Sequence, residues 1–229
     1  MTKRIVVAID GPAGAGKSTI ARAIADRLGF VYIDTGAMYR AIALWALRRN
    51  ISDGDMHRLE QLATEADIAF LPGAHTVLLN GEDVTEAIRT PEVSAAASRV
   101  SAVPAVRRAL VEKQRLLSAG ASVVMEGRDI GSVVFPDAEI KVFLDADPSI
   151  RADRRVLQLE RKGTAVCRES TAKEIADRDT RDRSRSEAPL VQAPDAVYVD
   201  TTGLDVDQVE EVILKLVRDR TANGKDYSR

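Results

Sequence analysis

The 229-residue chain has one cysteine, Cys167, and two histidines, His57 and His75. A lone cysteine excludes an internal disulfide and any thiolate-rich metal site. Neither histidine stands at a metal-ligand spacing, and both fall in segments that read as surface. Ser/His/Asp catalysis and zinc chemistry therefore have no support. Aromatic residues are 4% of the chain, too few to build a stacking platform for single-stranded bases. Lys and Arg number 33 against 35 Asp and Glu, so no global basic footprint for nucleic acid and no acidic tail is present. No apolar run approaches the roughly 20 residues that span a bilayer. No signal peptide is read ahead of the first apolar run, and a cytoplasmic location is the expectation. What remains, 45% hydrophobic and 30% charged, is an ordinary globular balance able to bury a sizeable core.

Against these absences stands one dense motif, Gly11-Pro12-Ala13-Gly14-Ala15-Gly16-Lys17-Ser18, which fits G-x-x-x-x-G-K-[ST]. Its setting fits as well. The apolar run Ile5–Ile9 before it has strand length, and Ile20, Ala23, Ile24 and Leu28 after it recur at helical spacing. A glycine loop between a buried strand and a helix N-terminus lets successive backbone N–H groups surround phosphate oxygens. Lys17 can reach the β/γ-phosphates, and the Ser18 hydroxyl can ligate Mg²⁺. Phosphoryl transfer needs no histidine or cysteine, because it runs on positioning, cations and Mg²⁺.

Along the chain, strands and helices alternate. Phe30–Ile33 reads as a strand, Asp34–Arg49 as a helix and residues 54–66 as another with Leu59, Leu62, Ala63 and Ala66 inward. The pattern then changes: Asp67–Leu71, Thr76–Leu79 and Glu82–Val84 are strand-like, with Pro72-Gly73 and Asn80-Gly81 as turns. This small antiparallel meander reads as an insertion. Helices follow from Pro91 and over Pro104–Ser118, strands at Ser122–Met125 and Ile140–Leu144, and a helix from the Asp147 N-cap and Pro148 to about Arg161. A helix at 171–187, a strand at Ala196–Val199 and a helix at Val206–Val217 complete the pattern. The tail from Thr221 has almost nothing to bury and is expected to be disordered. The fold class is α/β, a parallel sheet flanked by helices, with ligands at the carboxyl ends of the strands. Asp10-Gly11, Asp34-Thr35-Gly36, Glu126-Gly127-Arg128-Asp129 and Asp145-Ala146-Asp147 all fall at such ends.

Arginine is concentrated twice. Arg151, Arg154 and Arg155 share one face of their helix, where three cations call for anions opposite. Gly163 after them suits the hinge of a lid closing over phosphates; a solvated charged face is the other reading. In Arg178-Asp-Thr-Arg-Asp-Arg-Ser-Arg185, helical spacing lines up Arg178, Arg181, Asp182 and Arg185. A helix held by i,i+4 ion pairs is again the alternative. The balancing aspartates argue against an RNA-binding helix. Two arginine-bearing helices downstream of the glycine loop meet the charge requirement of a transferase that holds two anions close together.

Gly11–Thr19, Asp34–Arg40, Glu126–Gly131, Val134–Asp137 and Arg178–Arg185, in this order and spacing, resemble bacterial-type cytidylate kinases, from Ile5 to about Val217. The resemblance implies a P-loop nucleoside monophosphate kinase fold. It comprises a core (1–34, 86–147 and 164–220), a monophosphate-binding part (35–85, with the meander at 67–84 as an insertion) and a helical lid (148–163). It implies ATP-dependent phosphorylation of CMP and dCMP with Mg²⁺ held through Ser18, by a monomer with no nucleic-acid or membrane partner. Gly11 to Thr19 and Arg155 would hold the ATP phosphates, and Lys17, Arg128, Asp129, Arg151 and Arg154 would serve the transfer. On the acceptor side, Thr35, Tyr39 and Arg40 would line the monophosphate, Ser98, Arg107 and Arg185 would read the cytosine edge, Arg128 and Asp129 would lie near the acceptor, and Arg178 and Asp182 would touch the sugar. By residue type alone, Ser98 also reads as helix packing, Tyr39 as a core aromatic and Arg107 as a surface arginine. Glu126 stands where many relatives carry Asp, which leaves its metal role open.

Three other readings compete. A P-loop kinase for shikimate, gluconate or another nucleotide would share everything but the base-reading residues. A GTP switch would need N-K-x-D, which does not occur, and the D-x-x-G matches Asp26–Gly29 and Asp200–Gly203 are misplaced. An RNA-binding module would need aromatics near 178–185.

Overall fold

A computed structural model describes residues 4–71, 76–161, 163 and 165–221. The Pro72-Gly73 turn, His75 and residues 222–229 of the tail lie outside them. In chain order the elements are β1 (Val6–Asp10), α1 (Lys17–Leu28), β2 (Val31–Asp34), α2 (Thr35–Arg48) and α3 (Met56–Glu65). The meander strands β3 (Ile68–Leu71), β4 (Thr76–Leu79) and β5 (Glu82–Asp83) follow, then α4 (Pro91–Val100) and α5 (Pro104–Leu117). The chain continues through β6 (Val123–Gly127), β7 (Ile140–Asp145), α6 (Pro148–Glu160), α7 (Arg168–Ser184), β8 (Val197–Asp200) and α8 (Val206–Thr221). It divides into two compact units, Met1–Tyr32 with Ala121–Arg229, and Ile33–Gly120. The boundary at 120 puts α4 and α5 in the unit of α2 and α3, where the sequence reading groups them with the core. The reason is packing: α2 lies on α4 and α3 on α5 through apolar, alanine-rich faces.

The first unit is built on a five-stranded sheet in the order β2-β6-β1-β7-β8. The β1–β6, β1–β7 and β7–β8 pairs are parallel, as alternation of strand and helix requires. Every residue of β1 and β6 is buried, because helices cover the sheet. Ile5, Val7 and Ile9 pack with Ile20 and Ile24 of α1 and with Val209, Ile213 and Val217 of α8. Each such side chain contributes about 1.5–3 kcal/mol by leaving water.

The second unit encloses its own core of Met38, Ile42, Leu59, Ile88, Val100 and Leu110. Its meander is antiparallel, with Ile68 opposite Leu79 and Leu79 opposite Glu82. Asn80 and Gly81 both take positive φ (52° and 82°), the geometry of a tight hairpin turn matched to strand twist.

Helix ends follow their caps. Asp34 and Asp147 accept from Ala37 N and Ser149 N, and Gly29 closes α1 in the left-handed region. Gly163 sits past α6 at φ 76°, its N–H donating to the Glu160 carbonyl at 2.8 Å. Two features were not read from sequence. A π-helical turn spans Ile130–Val134, and α7 runs from Arg168 to Ser184 rather than over 171–187. Arg185 is already extended, and the chain beyond it returns to donate from Leu190 N to the Asp182 carbonyl (2.8 Å).

Candidate functional site

The glycine loop has its shape because of what it passes. Gly11, at φ 148°, leaves β1 so close to β7 that a Cβ would stand 1.9 Å from the Leu144 carbonyl oxygen. Gly14 lies against α6, where a Cβ would meet the Arg151 carbonyl oxygen at 2.8 Å, and both Gly14 and Gly16 hold positive φ. Lys17 opens α1 and is 6% exposed. Its Nζ donates to the Pro12 carbonyl at 2.6 Å. Burial, reinforced by Arg128 and Arg178 against Glu126 and Asp10, lowers its pKa to about 7. The lysine is thus a cation short of negative charge.

Behind the loop, the buried Asp10 carboxylate accepts from the backbone N–H groups of Ile130 (2.8 Å) and Gly131 (2.7 Å). Burial nevertheless raises its pKa to about 7. The strand that feeds the glycine loop is thereby tied to the turn that carries Arg128 and the buried Asp129. Glu126, buried at the end of β6, accepts from the Tyr32 hydroxyl, and Arg22 lies over the Tyr32 ring at 5.2 Å.

The arginines sort differently from their helical spacing. Asp182, 1% exposed, is their hub: Arg128 Nε donates to it at 2.8 Å, Arg185 donates to its other oxygen, and Arg178 Nε stands 4.0 Å away. Burial pushes the Asp182 pKa up, but Arg128, Arg185 and Arg178 pull it further down, so the net direction is below the usual carboxylate range. Arg181 is exposed, and the inward line of α7 is Thr171, Ile175, Asp179 and Asp182. On α6, Arg151 is buried and donates to Asp179, to Ala13 O (3.0 Å) and to Ala146 O (3.1 Å). Arg154 holds Thr201 through Oγ1 (2.9 Å) and the carbonyl (2.7 Å), and its guanidinium lies beside Gly16. Arg155 stands apart, donating to Gln158.

Thr35, Tyr39, Arg40, Ser98 and Arg107 belong to the second unit. Asp34 caps α2 and with its second oxygen takes Arg40 at 2.7 Å, the space between being kept by Gly36. The Arg107 guanidinium lies 5.4 Å from the Tyr39 ring centre and donates to the Ser101 carbonyl (3.3 Å). Ser101 in turn donates to the Ser98 carbonyl (3.0 Å), so Ser98 and Arg107 share one corner between α4 and α5. The Ser98 hydroxyl is buried at 3% exposure, with no hydrogen-bond partner among the described residues. His57 is exposed on α3.

Sequence reasoning assigned no role to Asp10, Asp179 or Tyr32. The available signal for Asp179 was its place four residues after Ile175 and three before Asp182, an acid on an inward helical line. Among the described residues, no group of three or more His, Cys, Asp or Glu could hold a metal ion. Mg²⁺ carried by a nucleotide needs only one or two protein ligands beside phosphates and water, and the Ser18 hydroxyl at the head of α1 fits that need.

The sequence model of a family described as cytidylate kinase matches residues 7–219. A cytidylate kinase of Solibacter usitatus is 60% identical over 228 residues, covering 99% of this chain and 97% of that one. One of Syntrophotalea carbinolica is 49% identical, covering 96% and 94%. Among solved structures, a shikimate kinase from Acinetobacter baumannii in complex with shikimate covers 98% of this chain and 97% of its own, with 16% identity and a TM-score of 0.45. A likeness that distant says nothing about substrate.

Proposed function

The chain belongs to the cytidylate kinase family, and from that membership we propose that it transfers the γ-phosphoryl group of ATP to CMP and dCMP, giving CDP and dCDP. The carrying observation is the extent of the family match: residues 7–219 take in every member of both side-chain sets.

Gly11–Thr19 cradles the ATP phosphates through backbone N–H groups and the head of α1. Lys17 leaves the Pro12 carbonyl for the phosphates, whose charge restores the proton that burial makes labile. Arg154, beside Gly16, and Arg128 supply cations where negative charge accumulates during transfer. Ser18 would hold Mg²⁺ together with the nucleotide, and the ion would supply charge neutralisation to the phosphates. Asp129 stands beside Arg128 to position the acceptor. Asp182, kept ionised by its arginines, has acceptor capacity for a sugar hydroxyl, with Arg178 alongside.

The second unit supplies acceptor recognition. Arg40, aimed by Asp34, takes the monophosphate with Thr35 and Tyr39. Ser98 and Arg107 read cytosine, whose O2 and N3 accept and whose N4 donates. A buried hydroxyl without a partner gains one when the base arrives, which favours a ligand that can hydrogen-bond there. Each set is drawn from a single chain, so a monomer suffices. No helix among the described residues is long and apolar enough to cross a membrane, and a cytoplasmic site of action is part of the same proposal.

The test is direct. The protein is incubated with γ-³²P-ATP, Mg²⁺ and CMP. Label is expected in CDP; label appearing only in inorganic phosphate, or remaining in ATP, would overturn the reading.

A further inference from the structure

The backbone of Ala13 is held on both sides. Its N–H donates to Asp179 Oδ1 on α7 at 3.3 Å, and its carbonyl accepts from Arg151 on α6 at 3.0 Å. Arg151 and Asp179 are themselves paired and buried, and Arg151 also stands 3.6 Å from Asp145 and donates to the Ala146 carbonyl. The neighbouring loop carbonyls are occupied too: Pro12 O takes Lys17 (2.6 Å), and Ala15 O takes the Thr201 hydroxyl (3.3 Å). Three glycines in positive φ surround this stretch, so its backbone has little stiffness of its own. Its conformation is imposed from outside by side chains of α6, α7 and the residue after β8.

We propose that Asp179, acting through Arg151 and the Ala13 backbone, is a positioning residue for ATP: the pair fixes the outer polar groups of the glycine loop, and so holds the loop's inward N–H groups in their phosphate-binding arrangement before nucleotide arrives. Preorganisation of this kind lowers the ordering cost that binding would otherwise bear. Arg151 is thereby assigned to the loop rather than to the phosphates. Its charge is already matched by Asp179, whereas Arg154 beside Gly16 is held by Thr201. Asp179 is a positioning residue because its hydrogen bonds are to the loop backbone and to Arg151.

The inference rests on ATP being the donor substrate. Its test separates the two ideas by measuring ATP binding apart from turnover. Wild type, Asp179→Ala, Asp179→Asn, Arg151→Ala and the Asp179→Ala/Arg151→Ala double variant are compared by ATP titration calorimetry, steady-state kinetics with CMP and thermal melting. Losing a charge-assisted hydrogen bond to the loop should raise Kd and KM for ATP about tenfold in Asp179→Ala. KM for CMP should stay within about twofold, because the acceptor makes no use of this pair. Asp179→Asn, which keeps an oxygen for the Ala13 N–H, should recover most of the ATP affinity. The double variant should bind ATP no more weakly than the worse single, since the two are paired and act on the one residue Ala13. Equal rises in the two KM values, or a lower melting temperature with ATP affinity unchanged, would overturn the proposal; the Asn variant keeps that comparison available if Asp179→Ala does not fold. A wild-type protein that binds ATP yet leaves CMP unphosphorylated would refute the kinase reading, while the ATP affinities of the variants still decide the role of Asp179.

Discussion

The two units differ in what surrounds their buried polar groups: a network of ion pairs in one, an apolar core in the other. In the first, Asp182 is answered by three arginines, Arg151 by Asp179, and the Asp10 carboxylate by two backbone N–H groups, while Lys17 rests on the Pro12 carbonyl. In the second, the core is apolar and alanine-rich, and the Ser98 hydroxyl is buried with nothing among the described residues to bond. The carboxylate–arginine pairs of the first are made without a ligand. In the second, the proposed contact with the base would complete the Ser98 hydroxyl. A phosphate loop benefits from rigidity, because its donors must wait in place for charge that is the same in every nucleoside triphosphate. A base-reading site benefits from an unmet bond, because the wrong base then leaves a buried polar group unpaired.

Variants can break or sharpen this contrast. The largest effect is expected at Lys17, a buried cation that rests on a carbonyl. Lys17→Ala should lower kcat by about 10²–10³-fold with an unchanged melting temperature; near-normal turnover in a coupled assay would remove it from the transfer site. Next comes Asp182. Asp182→Ala leaves three arginines facing one another in a buried place and should lower the unfolding free energy by about 3 kcal/mol, read by urea titration. Ser98→Ala should do the reverse in the second unit. Removing a buried hydroxyl with no partner should leave stability unchanged or raise it by up to about 1 kcal/mol, while KM for CMP rises about tenfold. A destabilised Ser98→Ala with normal KM would erase the contrast.

The smallest effect is a proton. Lys17 in the unliganded protein has its pKa lowered to about 7 by burial, and phosphate oxygens favour the ammonium form. The bound pKa therefore lies above the unliganded one. Binding ATP near pH 8 should take up about one proton at this site and near pH 6 almost none, so affinity should weaken as pH rises above 7. Calorimetry in two buffers of different ionisation enthalpy measures the uptake; proton release at pH 8 would contradict the sign.

The same contrast explains what could be read from the sequence. The glycine loop was legible because it is contiguous: eight neighbouring residues specify the turn, the close passage by β7 and the helix head. The Asp34 and Asp147 caps and the Asn80-Gly81 turn were legible for the same reason. The proposed acceptor set rests on family resemblance alone, since nothing local marks Ser98 apart from the alanines before it. Asp179 was missed because its partner, the Ala13 N–H, lies 166 positions away, and no periodicity reports such a pairing. The end of α7 was misjudged because Arg185 leaves the helix to turn back on Asp182, three residues behind it, an ion pair that competes with one more helical turn.

The central claim is that a prebuilt donor loop serves an acceptor site that reads cytosine. It is tested most directly by kcat/KM for the wild-type protein with saturating ATP and Mg²⁺ across CMP, dCMP, UMP, AMP, GMP and TMP. The account predicts CMP and dCMP well ahead of AMP, GMP and TMP. Turnover of AMP, GMP or TMP comparable to that of CMP would contradict it.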